Sequence, residues 1–555
     1  MMTFFVRSAA ALALAVAVVW VQPVQAQEQS VGCDGAVALK AGRSGPCTTL
    51  AQQIAALVED PAVARAHWGI DVEAMDGAPI YSLNEGQLFQ PASNAKLFTT
   101  ATAMALLGPE KTFETRVVAK GVLVAGTLTG DLELVGGGDA NLSGRVFPYL
   151  APPERPKPAP PAPDPLRYLA EMADQVVAKG VKVVSGDVVG DDSYFAWEPF
   201  GADWAVDDLP WGYGAPVSAL SVNDNQIRMT ITPGARTGED AVVTFDPALA
   251  YYTVVSRVST SSAKSKTLLS IERAPGSKVL EVYGSIAVDA APDTEEMAIA
   301  DPAEYAAMAL KEMLEARGVV VQGTVRVKHW EQHDSGSFLE ETRQPMVNFD
   351  GLLNRTLQVG CSDAGRPDLQ PEETVLATHT SVPMGEDIVL TNKVSQNLHA
   401  EILLRNVGKA TTCLGTVATG AQTVRQFLLA AGIDKDDFVF FDGSGLSGHD
   451  LVTPRATARL LQYAAGQTWF AEWKKSLPVG GVDGSLEGRF AKTLLKGELF
   501  AKTGTLGEAR ALSGYVECAS GRTVIFSIMV GNHAPQNNAD RDAMDKIVAV
   551  IAAAN

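Results

Sequence analysis

Cysteine is scarce in this sequence, and none of the five cysteines belongs to a C-x-x-C pair. The absence of such a pair argues against a redox motif and against a zinc knuckle. Cys33 and Cys47 flank a glycine-containing loop and are the first candidate disulfide, with Cys361 and Cys413 as the second. Disulfides persist in oxidising compartments, so both pairs are expected only if the protein is exported.

Positive charge is also in short supply. The chain has 45 Lys and Arg against 64 Asp and Glu, which gives a formal net charge of -19. Proteins that bind nucleic acid carry clustered cations on one face. The charge balance therefore argues against a nucleic-acid partner and favours solubility.

Long apolar runs are absent after the N terminus. The single run there, from Ala9 to about Val21, follows Arg7 and ends in small residues before Ala26. This pattern is typical of a secretory signal peptide, residues 1–26, cleaved after its last residue. The run is shorter than the roughly 20 residues of a membrane span, although an uncleaved anchor is the alternative. We expect a periplasmic or extracellular protein with no membrane span after signal removal.

The remaining chain changes in composition twice. Between residues 112 and 343 it consists mostly of short segments rich in Val, Thr and Gly, which are typical of β-strands. Helical patterns dominate on both sides, and the C-terminal part adds three consecutive strands and a last helix. We therefore predict an α+β protein, with an antiparallel sheet covered by helices. Residues 27–111 and 344–555 would form this discontinuous domain, and the β-rich insertion 112–343 would form two subdomains.

Three short motifs are widely separated in the chain. Ser93 and Lys96 form S-x-x-K at the start of an apolar helix, in "PASNAKLFTT". Ser395 and Asn397 form S-x-N before another helix, and K-T-G begins at Lys502 inside a predicted strand. Each motif alone is weak, because S-x-x-K at a helix start is usually only a helix start. All three in this order and in these contexts form a strong signal.

The ordered motifs resemble those of the penicillin-recognising serine acyl-transferases, which include penicillin-binding proteins and serine β-lactamases. The stretches "DGSGLSGHDLVTP" and "SLPVGGVDGSLEGRF" are similar to the D-alanyl-D-alanine carboxypeptidase/endopeptidase family, the class C low-molecular-mass penicillin-binding proteins of peptidase family S13. That family also has a large insertion between S-x-x-K and S-x-N. The resemblance covers nearly the whole mature chain and implies a penicillin-binding/β-lactamase-like transpeptidase domain.

The residue types fit acyl transfer. A serine hydroxyl needs a base, and helix positions i and i+3 share a face, so Lys96 is the candidate base for Ser93. Lysine acts as a base only when deprotonated, which burial and the neighbouring charge of Lys502 would promote. Ser395 is the candidate proton shuttle to the leaving group. Asn397 is the candidate hydrogen-bond partner of the lysine and of the substrate amide.

The K-T-G strand is expected to hold the substrate. Lys502 and Thr503 suit a substrate carboxylate, one by charge and the other by a hydrogen bond. Gly504 would remove a side chain where the substrate lies along the strand. The resemblance implies that the N–H groups of Ser93 and Thr505 form the oxyanion hole.

The resemblance has two departures at the end of the site that would face the side chain of a diamino acid in the peptide. Gly448 replaces an arginine that commonly follows "GSGLS", and Gly507 replaces a residue that is often polar. The segment "GDDSYFAW" is similar to the part of the family's insertion that faces this end. Asp191 and Phe195 are therefore candidate substrate contacts.

The resemblance implies an exported serine D,D-peptidase acting on peptidoglycan stem peptides. It would release terminal D-alanine through an acyl-enzyme, cleave D-Ala cross-links by the same chemistry, and be inhibited by β-lactam antibiotics. One alternative is a serine β-lactamase, but the chain lacks E-x-x-L-N and is far longer than class A enzymes. The other is a non-catalytic cell-wall-binding protein, against which the intact motifs argue.

No cofactor and no metal are expected. His329 and His333 have the i, i+4 spacing of a metal pair, but the flanking segment "TVRVKHW", which contains His329, follows a strand pattern. A strand would not bring the two rings together. A surface turn is the expected structure at this histidine pair.

Overall fold

The structure is a computed structural model, and it describes residues 48–332, 336–354, 374–535 and 537–555. The predicted signal peptide and the predicted cleavage site after Ala26 lie outside these residues. None of the helices in the described ranges combines the length and the hydrophobicity that a membrane span requires.

The predicted disulfides fall largely outside the described residues. Cys33, Cys47 and Cys361 are all outside them. Cys413 is disulfide-bonded and the remaining described cysteine, Cys518, is free and buried. The partner of Cys413 is therefore not among the described residues, and both pairings stay predictions.

The described chain contains both helices and strands, which occur in groups along the sequence. The helices are α1 (Leu50–Val58), α2 (Ala95–Leu106), α3 (Arg167–Ala178), α4 (Pro302–Ala316), α5 (Phe338–Arg343), α6 (Phe349–Leu353), α7 (Met384–Lys393), α8 (Asn397–Thr412), α9 (Val417–Ala430), α10 (Pro454–Ala465), α11 (Phe470–Ser476) and α12 (Ala539–Ala554). The first strands are β1 (His67–Ala74), β2 (Pro79–Leu83), β3 (Glu114–Val124), β4 (Thr127–Val135), β5 (Asp139–Leu142), β6 (Val183–Val184), β7 (Val188–Ala196), β8 (Leu220–Val222), β9 (Gln226–Thr232), β10 (Val242–Asp246) and β11 (Thr253–Ser261). The others are β12 (Leu268–Glu272), β13 (Val279–Ala287), β14 (Asp293–Ala298), β15 (Val320–Val321), β16 (Val325–Trp330), β17 (Thr374–Thr380), β18 (Phe438–Val439), β19 (Leu451–Val452), β20 (Leu499–Leu506), β21 (Ala509–Glu517) and β22 (Thr523–Gly531).

A five-stranded antiparallel sheet, in the order β2-β1-β22-β21-β20, joins the two ends of the chain. β1 pairs with β22 from His67 opposite Gly531 to Ala74 opposite Val524. The three predicted C-terminal strands are confirmed, and β1 and β2 form a hairpin with its turn at Asp76-Gly77. This sheet places K-T-G, on β20, at one edge.

Helices cover both faces of the five-stranded sheet. Along β22, Val524, Phe526 and Ile528 pack into a core with α1 and α12. Ile525 and Met529 point the other way, into a core with α2 and α8 to α11. The alternation arises because successive strand residues face opposite sides of a sheet. The architecture is the predicted one, an antiparallel sheet between helical layers.

The chain between α2 and α7 builds further sheets around one large core. A mixed sheet runs β15-β6-β4-β3-β17, with β7 beside β4 and β16 beside β7. Two three-stranded sheets follow, β10-β9-β14 and β11-β13-β12, and α3 and α4 pack among these strands. β17 lies beyond the predicted boundary at 343/344, yet it pairs with β3 of the insertion. The predicted domain limits and the two subdomains stay predictions.

The insertion contacts α8 through a small core. Phe195 and Trp204 from the insertion pack there with Leu398 and Ile402 of α8 and with Leu446. Since S-x-N lies at the start of α8, this contact brings the insertion next to the motif.

Candidate active site

Ser93 lies in a single 3₁₀ turn, Ala92–Asn94, directly before α2. Lys96, one turn further on, is fully buried, and its Nζ lies 3.0 Å from Ser93 Oγ. Ala92 has a φ of +47°, which is unfavourable for a residue with a side chain. Backbone strain of this kind persists where surrounding packing requires it, and here it directly precedes Ser93.

A tight turn around Gly445 packs against this backbone. A Cβ at Gly445 would lie 1.8 Å from the carbonyl oxygen of Ala92, and the φ of Gly445 is +81°. The preceding carbonyl, that of Ser444, accepts a hydrogen bond from Lys96 Nζ at 2.7 Å. Only glycine at this position lets the turn come close enough to hold the lysine.

The S-x-N motif contacts both lysines. Asn397 Oδ1 accepts a hydrogen bond from Lys96 Nζ at 2.7 Å. Ser395 Oγ accepts one from Lys502 Nζ at 2.8 Å. The amide nitrogen of Asn397 donates to the carbonyl of Tyr213 at 2.9 Å, and its predicted contact with the substrate amide stays a prediction. S-x-N thus links S-x-x-K to K-T-G and to the insertion.

Packing within the protein itself requires a glycine at position 504, and the predicted substrate contact there stays a prediction. A Cβ on Gly504 would lie 2.6 Å from the carbonyl oxygen of Pro91 and 3.2 Å from the Cβ of Ala92. We expected this glycine to make room for a substrate lying along the strand. In the structure its missing side chain lets β20 approach the backbone that carries Ser93.

The environment of Lys96 makes its side-chain amine easier to deprotonate than a free lysine. Burial lowers the pKa of Lys96 to about 8, although the carboxylates of Asp442, Glu401 and Asp450 act in the opposite direction. Burial, followed by the charge of Lys96, also lowers the pKa of Lys502 well below its ordinary value. Burial is therefore the main cause for both lysines, and a carboxylate bound beside Lys502 would restore its charge.

Buried carboxyl groups hold the turn that contacts Lys96. Glu401 Oε1 accepts hydrogen bonds from the N–H groups of Gly443 at 2.9 Å and Ser444 at 2.8 Å. Burial and the charge of Asp442 raise the pKa of Glu401 to about 7. Asp442 in turn accepts a hydrogen bond from the indole N–H of Trp204, in the insertion, at 2.9 Å. These contacts fix the Ser444 carbonyl against the lysine.

A cavity of about 340 Å³ opens in front of Ser93. It is lined by Ser93, Asp208, Tyr213, Ser395, Asn397, Gly445, Leu446, Thr505, Leu506 and Gly507. The nucleophile candidate, both S-x-N side chains and the implied oxyanion residue Thr505 thus share one space. Thr503 lies on β20 and is not among the lining residues, and its Oγ1 is 2.7 Å from Ser485 Oγ.

The structure does not bring Asp191 or Phe195 into this cavity, contrary to expectation. Asp191 is buried, accepts a hydrogen bond from the N–H of Ser193 at 2.9 Å and pairs with Lys328 at 3.2 Å. Phe195 is 2% exposed and packs with Trp204 in the small core on α8. The Asp191 side chain makes its contacts within the insertion, and the Phe195 side chain packs against α8.

Asp208 and Tyr213 line the cavity instead, and sequence reasoning missed them. The hydroxyl of Tyr213 donates to Asp208 Oδ1 at 2.8 Å. Both belong to "DWAVDDLPWGYG", a stretch without strand or helix periodicity that combines acids with aromatic residues. Acidic and aromatic side chains in a predicted loop could have indicated these two residues, because binding residues are often on loops held by a rigid scaffold.

The strand predicted over "TVRVKHW" is confirmed, so the predicted surface turn does not include the first histidine. His329 lies in β16, and its Nδ1 is 2.8 Å from Asp192 Oδ1, whereas His333 lies outside the described residues. The ring also stacks on Trp197, with centroids 3.9 Å apart. Within the described ranges, no three His, Cys, Asp or Glu side chains are grouped so that they could hold a metal ion.

Sequence comparison gives a family match over nearly all of this chain. Residues 50–349 and 352–553 match the model of the D-Ala-D-Ala carboxypeptidase 3 (S13) family. A D-alanyl-D-alanine carboxypeptidase from Actinomadura sp. (strain R39) is 34% identical over 509 residues, which cover 90% of this chain and 84% of that protein. The carboxypeptidase DacB from Haemophilus influenzae is 25% identical, over 80% of this chain and 81% of its own length.

Structural comparison agrees on the fold. The crystal structure of penicillin binding protein 4 (dacB) from Haemophilus influenzae superposes with a TM-score of 0.71 at 21% identity. The match covers 89% of this chain and 97% of that one. At this identity the likeness shows the fold alone, and it confirms the predicted fold class.

Proposed function

The chain belongs to the D-Ala-D-Ala carboxypeptidase 3 (S13) family of serine peptidases, and from this premise we propose an exported D,D-peptidase that acts on peptidoglycan stem peptides. It removes the terminal D-alanine through an acyl-enzyme on Ser93, and β-lactams acylate the same serine. The observation that carries the proposal is the 3.0 Å contact between Lys96 Nζ and Ser93 Oγ, beside a cavity that Ser395 also lines.

Acylation begins with proton transfer from the nucleophile to its base. Neutral Lys96 takes the hydroxyl proton of Ser93 while Oγ attacks the carbonyl carbon of the penultimate D-alanine. The developing oxyanion accepts hydrogen bonds from the N–H groups of Ser93 and Thr505. The C–N bond then breaks, and the proton passes from Lys96 through the hydroxyl of Ser395 to the departing amine. An ester on Ser93 remains.

The substrate's terminal carboxylate is bound by Lys502 and Thr503. Lys502 Nζ lies 2.8 Å from Ser395 Oγ, so one side chain can contact both the carboxylate and the proton shuttle. A bound carboxylate favours the protonated form of a buried lysine. Substrates with a free terminal carboxylate should therefore react faster than their amides.

Deacylation repeats the steps with water in place of the amine. The same base takes a proton from water, the hydroxide attacks the ester, and the shortened peptide leaves as Ser93 regains its proton. If the leaving amine belongs to a second stem peptide, this chemistry cleaves a D-Ala cross-link. We include this endopeptidase reaction in the proposal.

Two further parts of the proposal have separate support. Export is supported by the charged, apolar and small-residue pattern of residues 1–26. Acylation by β-lactams is supported by a related protein, since the Haemophilus influenzae penicillin binding protein 4 was also crystallised as a complex with a β-lactam.

The first test is the mass of the intact protein after incubation with penicillin, for wild type and Ser93→Ala. We expect one penicilloyl adduct on the wild type and none on the variant. A lack of adduct without penicillin consumption would contradict the proposal and favour a non-catalytic wall-binding protein. Fast consumption without a lasting adduct would favour a β-lactamase.

The second test separates the two peptidase reactions. Release of D-alanine from a stem pentapeptide and cleavage of a cross-linked dimer are measured side by side, again with Ser93→Ala as the control. Both products should depend on Ser93. Product from only one substrate would limit the proposal to that reaction.

A further inference from the structure

The middle residue of S-x-N has no part in the proposed reaction, yet its side chain is held at both ends. Gln396 Nε2 donates to Asp224 Oδ2 at 3.0 Å, and Gln396 Oε1 accepts from the N–H of Leu398 at 3.1 Å. The second contact caps the first turn of α8. A single side chain therefore ties the backbone between Ser395 and Asn397 to the insertion.

Asp224 is the centre of a buried ionic network. Its Oδ2 accepts a hydrogen bond from Arg145 Nε at 2.8 Å, and its Oδ1 lies 3.2 Å from His399 Nε2. The other ring nitrogen of His399 is 2.6 Å from Asp387 Oδ1. Although burial acts in the opposite direction, the two carboxylates raise the pKa of His399 to about 9. The network joins the insertion, through Arg145 and Asp224, to α7 and α8.

The turn that carries Asp224 is strained. Asn223, Asp224 and Asn225 have φ values of +49°, +55° and +53°, three consecutive left-handed residues with side chains. Asn225 holds the turn, because its Nδ2 donates to the carbonyl of Pro216 at 2.8 Å and its Oδ1 accepts from the N–H of Val222 at 3.1 Å. Strain that is held in this way aims the Asp224 carboxylate at α8.

The backbone on the other side of the contact is strained as well. Ser395 has a φ of +61° and precedes Gln396 directly. A left-handed serine has no intrinsic preference for that conformation, so its surroundings must hold it. The hydrogen bond from Gln396 to Asp224 is one such restraint, and it lies one residue from the hydroxyl that contacts Lys502.

We propose that Asp224 and Gln396 are positioning residues that fix S-x-N from the insertion. Together they set the places of the Ser395 hydroxyl and the Asn397 amide against the two lysines. This inference rests on the proposed function, because its consequence is a change in the rate of acylation at Ser93. The insertion is then part of the catalytic apparatus and not only an added binding surface.

The test uses the full-length protein and penicillin. Intact mass gives the fraction of molecules that can be acylated, and a concentration series gives the limiting acylation rate and the dissociation constant of the non-covalent complex. Gln396→Ala removes the link and leaves the ionic network in place. Asp224→Asn acts on the same link from the insertion.

For Gln396→Ala we expect a limiting rate about 10- to 100-fold lower in molecules that still react, because misplaced groups slow a positioned reaction. The dissociation constant should change much less. Asp224→Asn should also lower the limiting rate. Because the two residues act as one unit, the fold-reduction in the double variant should be smaller than the product of the two single fold-reductions.

Asp192→Asn is the matched control. Asp192 is also buried in the insertion and also contacts a histidine, but its hydrogen bonds go to His329 and Ser218. This variant should lower the melting temperature while each reactive molecule keeps the wild-type rate.

Wild-type rates in Gln396→Ala would overturn the inference, even if its melting temperature or its reactive fraction fell. Fully multiplicative effects in the double variant would also overturn it. If Asp224→Asn does not fold, Gln396→Ala alone decides. A wild-type protein that penicillin does not acylate would contradict the proposed function itself, and the inference with it.

Discussion

The hydrogen-bond partners of Lys96 Nζ show how this lysine can act as a base. Its Nζ has three neighbours: the hydroxyl of Ser93 and two oxygens that can only accept, Asn397 Oδ1 and the Ser444 carbonyl. A neutral amine has two N–H groups for these two acceptors. The remaining lone pair then faces the hydroxyl proton of Ser93, which is the arrangement that a general base needs.

This arrangement predicts how acylation depends on pH. With a pKa of about 8, Lys96 is mostly protonated below that pH and mostly neutral above it. The rate of acylation by penicillin should therefore rise with pH through about 8 and level off beyond it. Stopped incubations between pH 6 and 10, read by intact mass, measure this profile.

The matching control is Lys96→Met, which keeps an unbranched side chain one atom shorter and removes the base. Its acylation should be slower by about 10²- to 10⁴-fold and lose the rise near pH 8. A wild-type profile that is flat from pH 6 to 9 would contradict the assignment of Lys96 as the base.

Among the elements, the end of α7 and the loop before β20 are joined by a buried ion pair. Lys393 Nζ lies 2.7 Å from Asp483 Oδ2 and also donates to the carbonyl of Leu477 at 2.7 Å. Burial lowers the pKa of Lys393, while Asp483 acts in the opposite direction. The same loop carries Ser485 to the hydroxyl of Thr503. The Lys393–Asp483 pair thus fixes the residues just before S-x-N to the loop that contacts K-T-G.

Removing one partner of this pair should be strongly destabilising. Asp483→Ala leaves a buried ammonium without its counter-charge, so the free energy of unfolding should fall by about 3–5 kcal/mol. Denaturant unfolding of the variant and the wild type measures the difference. Glu281→Ala, which breaks the exposed pair with Arg257, is the control and should change stability little. Similar small losses in both variants would show that the buried pair is not a structural link.

At the scale of the whole molecule, buried carboxyl groups make stability depend on pH. Burial raises the pKa of Asp71 from 3.8 to about 7 and does the same to Asp139. At pH values between the ordinary pKa and the raised pKa, the folded protein binds more protons than the unfolded chain. Stability contributed by these groups is therefore lost as pH rises from about 4 to 7, by up to about 1.4 kcal/mol per pH unit for each group.

We predict that Asp71→Asn raises the melting temperature at pH 7 and weakens its decline between pH 4 and 7. The amide keeps the volume of the side chain and can still accept the hydrogen bond from Ser82 Oγ, which is 2.9 Å long in the structure. Melting curves at several pH values measure the effect. Asp76→Asn, at the exposed turn of the same hairpin, should leave the slope unchanged. A steeper decline in Asp71→Asn than in the wild type would contradict the prediction.

The local parts of this protein follow from its sequence. S-x-x-K places Ser93 beside Lys96 because one helical turn separates them, whatever surrounds that helix. The strands β20 to β22 follow from alternating side chains, since the period of two is a property of the backbone. The three motifs in order predicted a penicillin-recognising acyl-transferase, because each motif contributes to the same site, and two further stretches, "DGSGLSGHDLVTP" and "SLPVGGVDGSLEGRF", narrowed the prediction to the family.

The tertiary structure decided what the local patterns leave open, namely which distant groups meet. Asp191 and Phe195 have the residue types of substrate contacts but are covered by their own insertion, whereas Asp208 and Tyr213 reach the cavity. Gly504 is needed for packing against Pro91, a residue hundreds of positions away. The burial and the electrostatic environment of a site depend on many residues that are distant in the sequence. The sequence by itself determines the helices, the strands and the pairing of Ser93 with Lys96. Only the packing of the insertion onto α8 determines how the S-x-N side chains are held beside that pair.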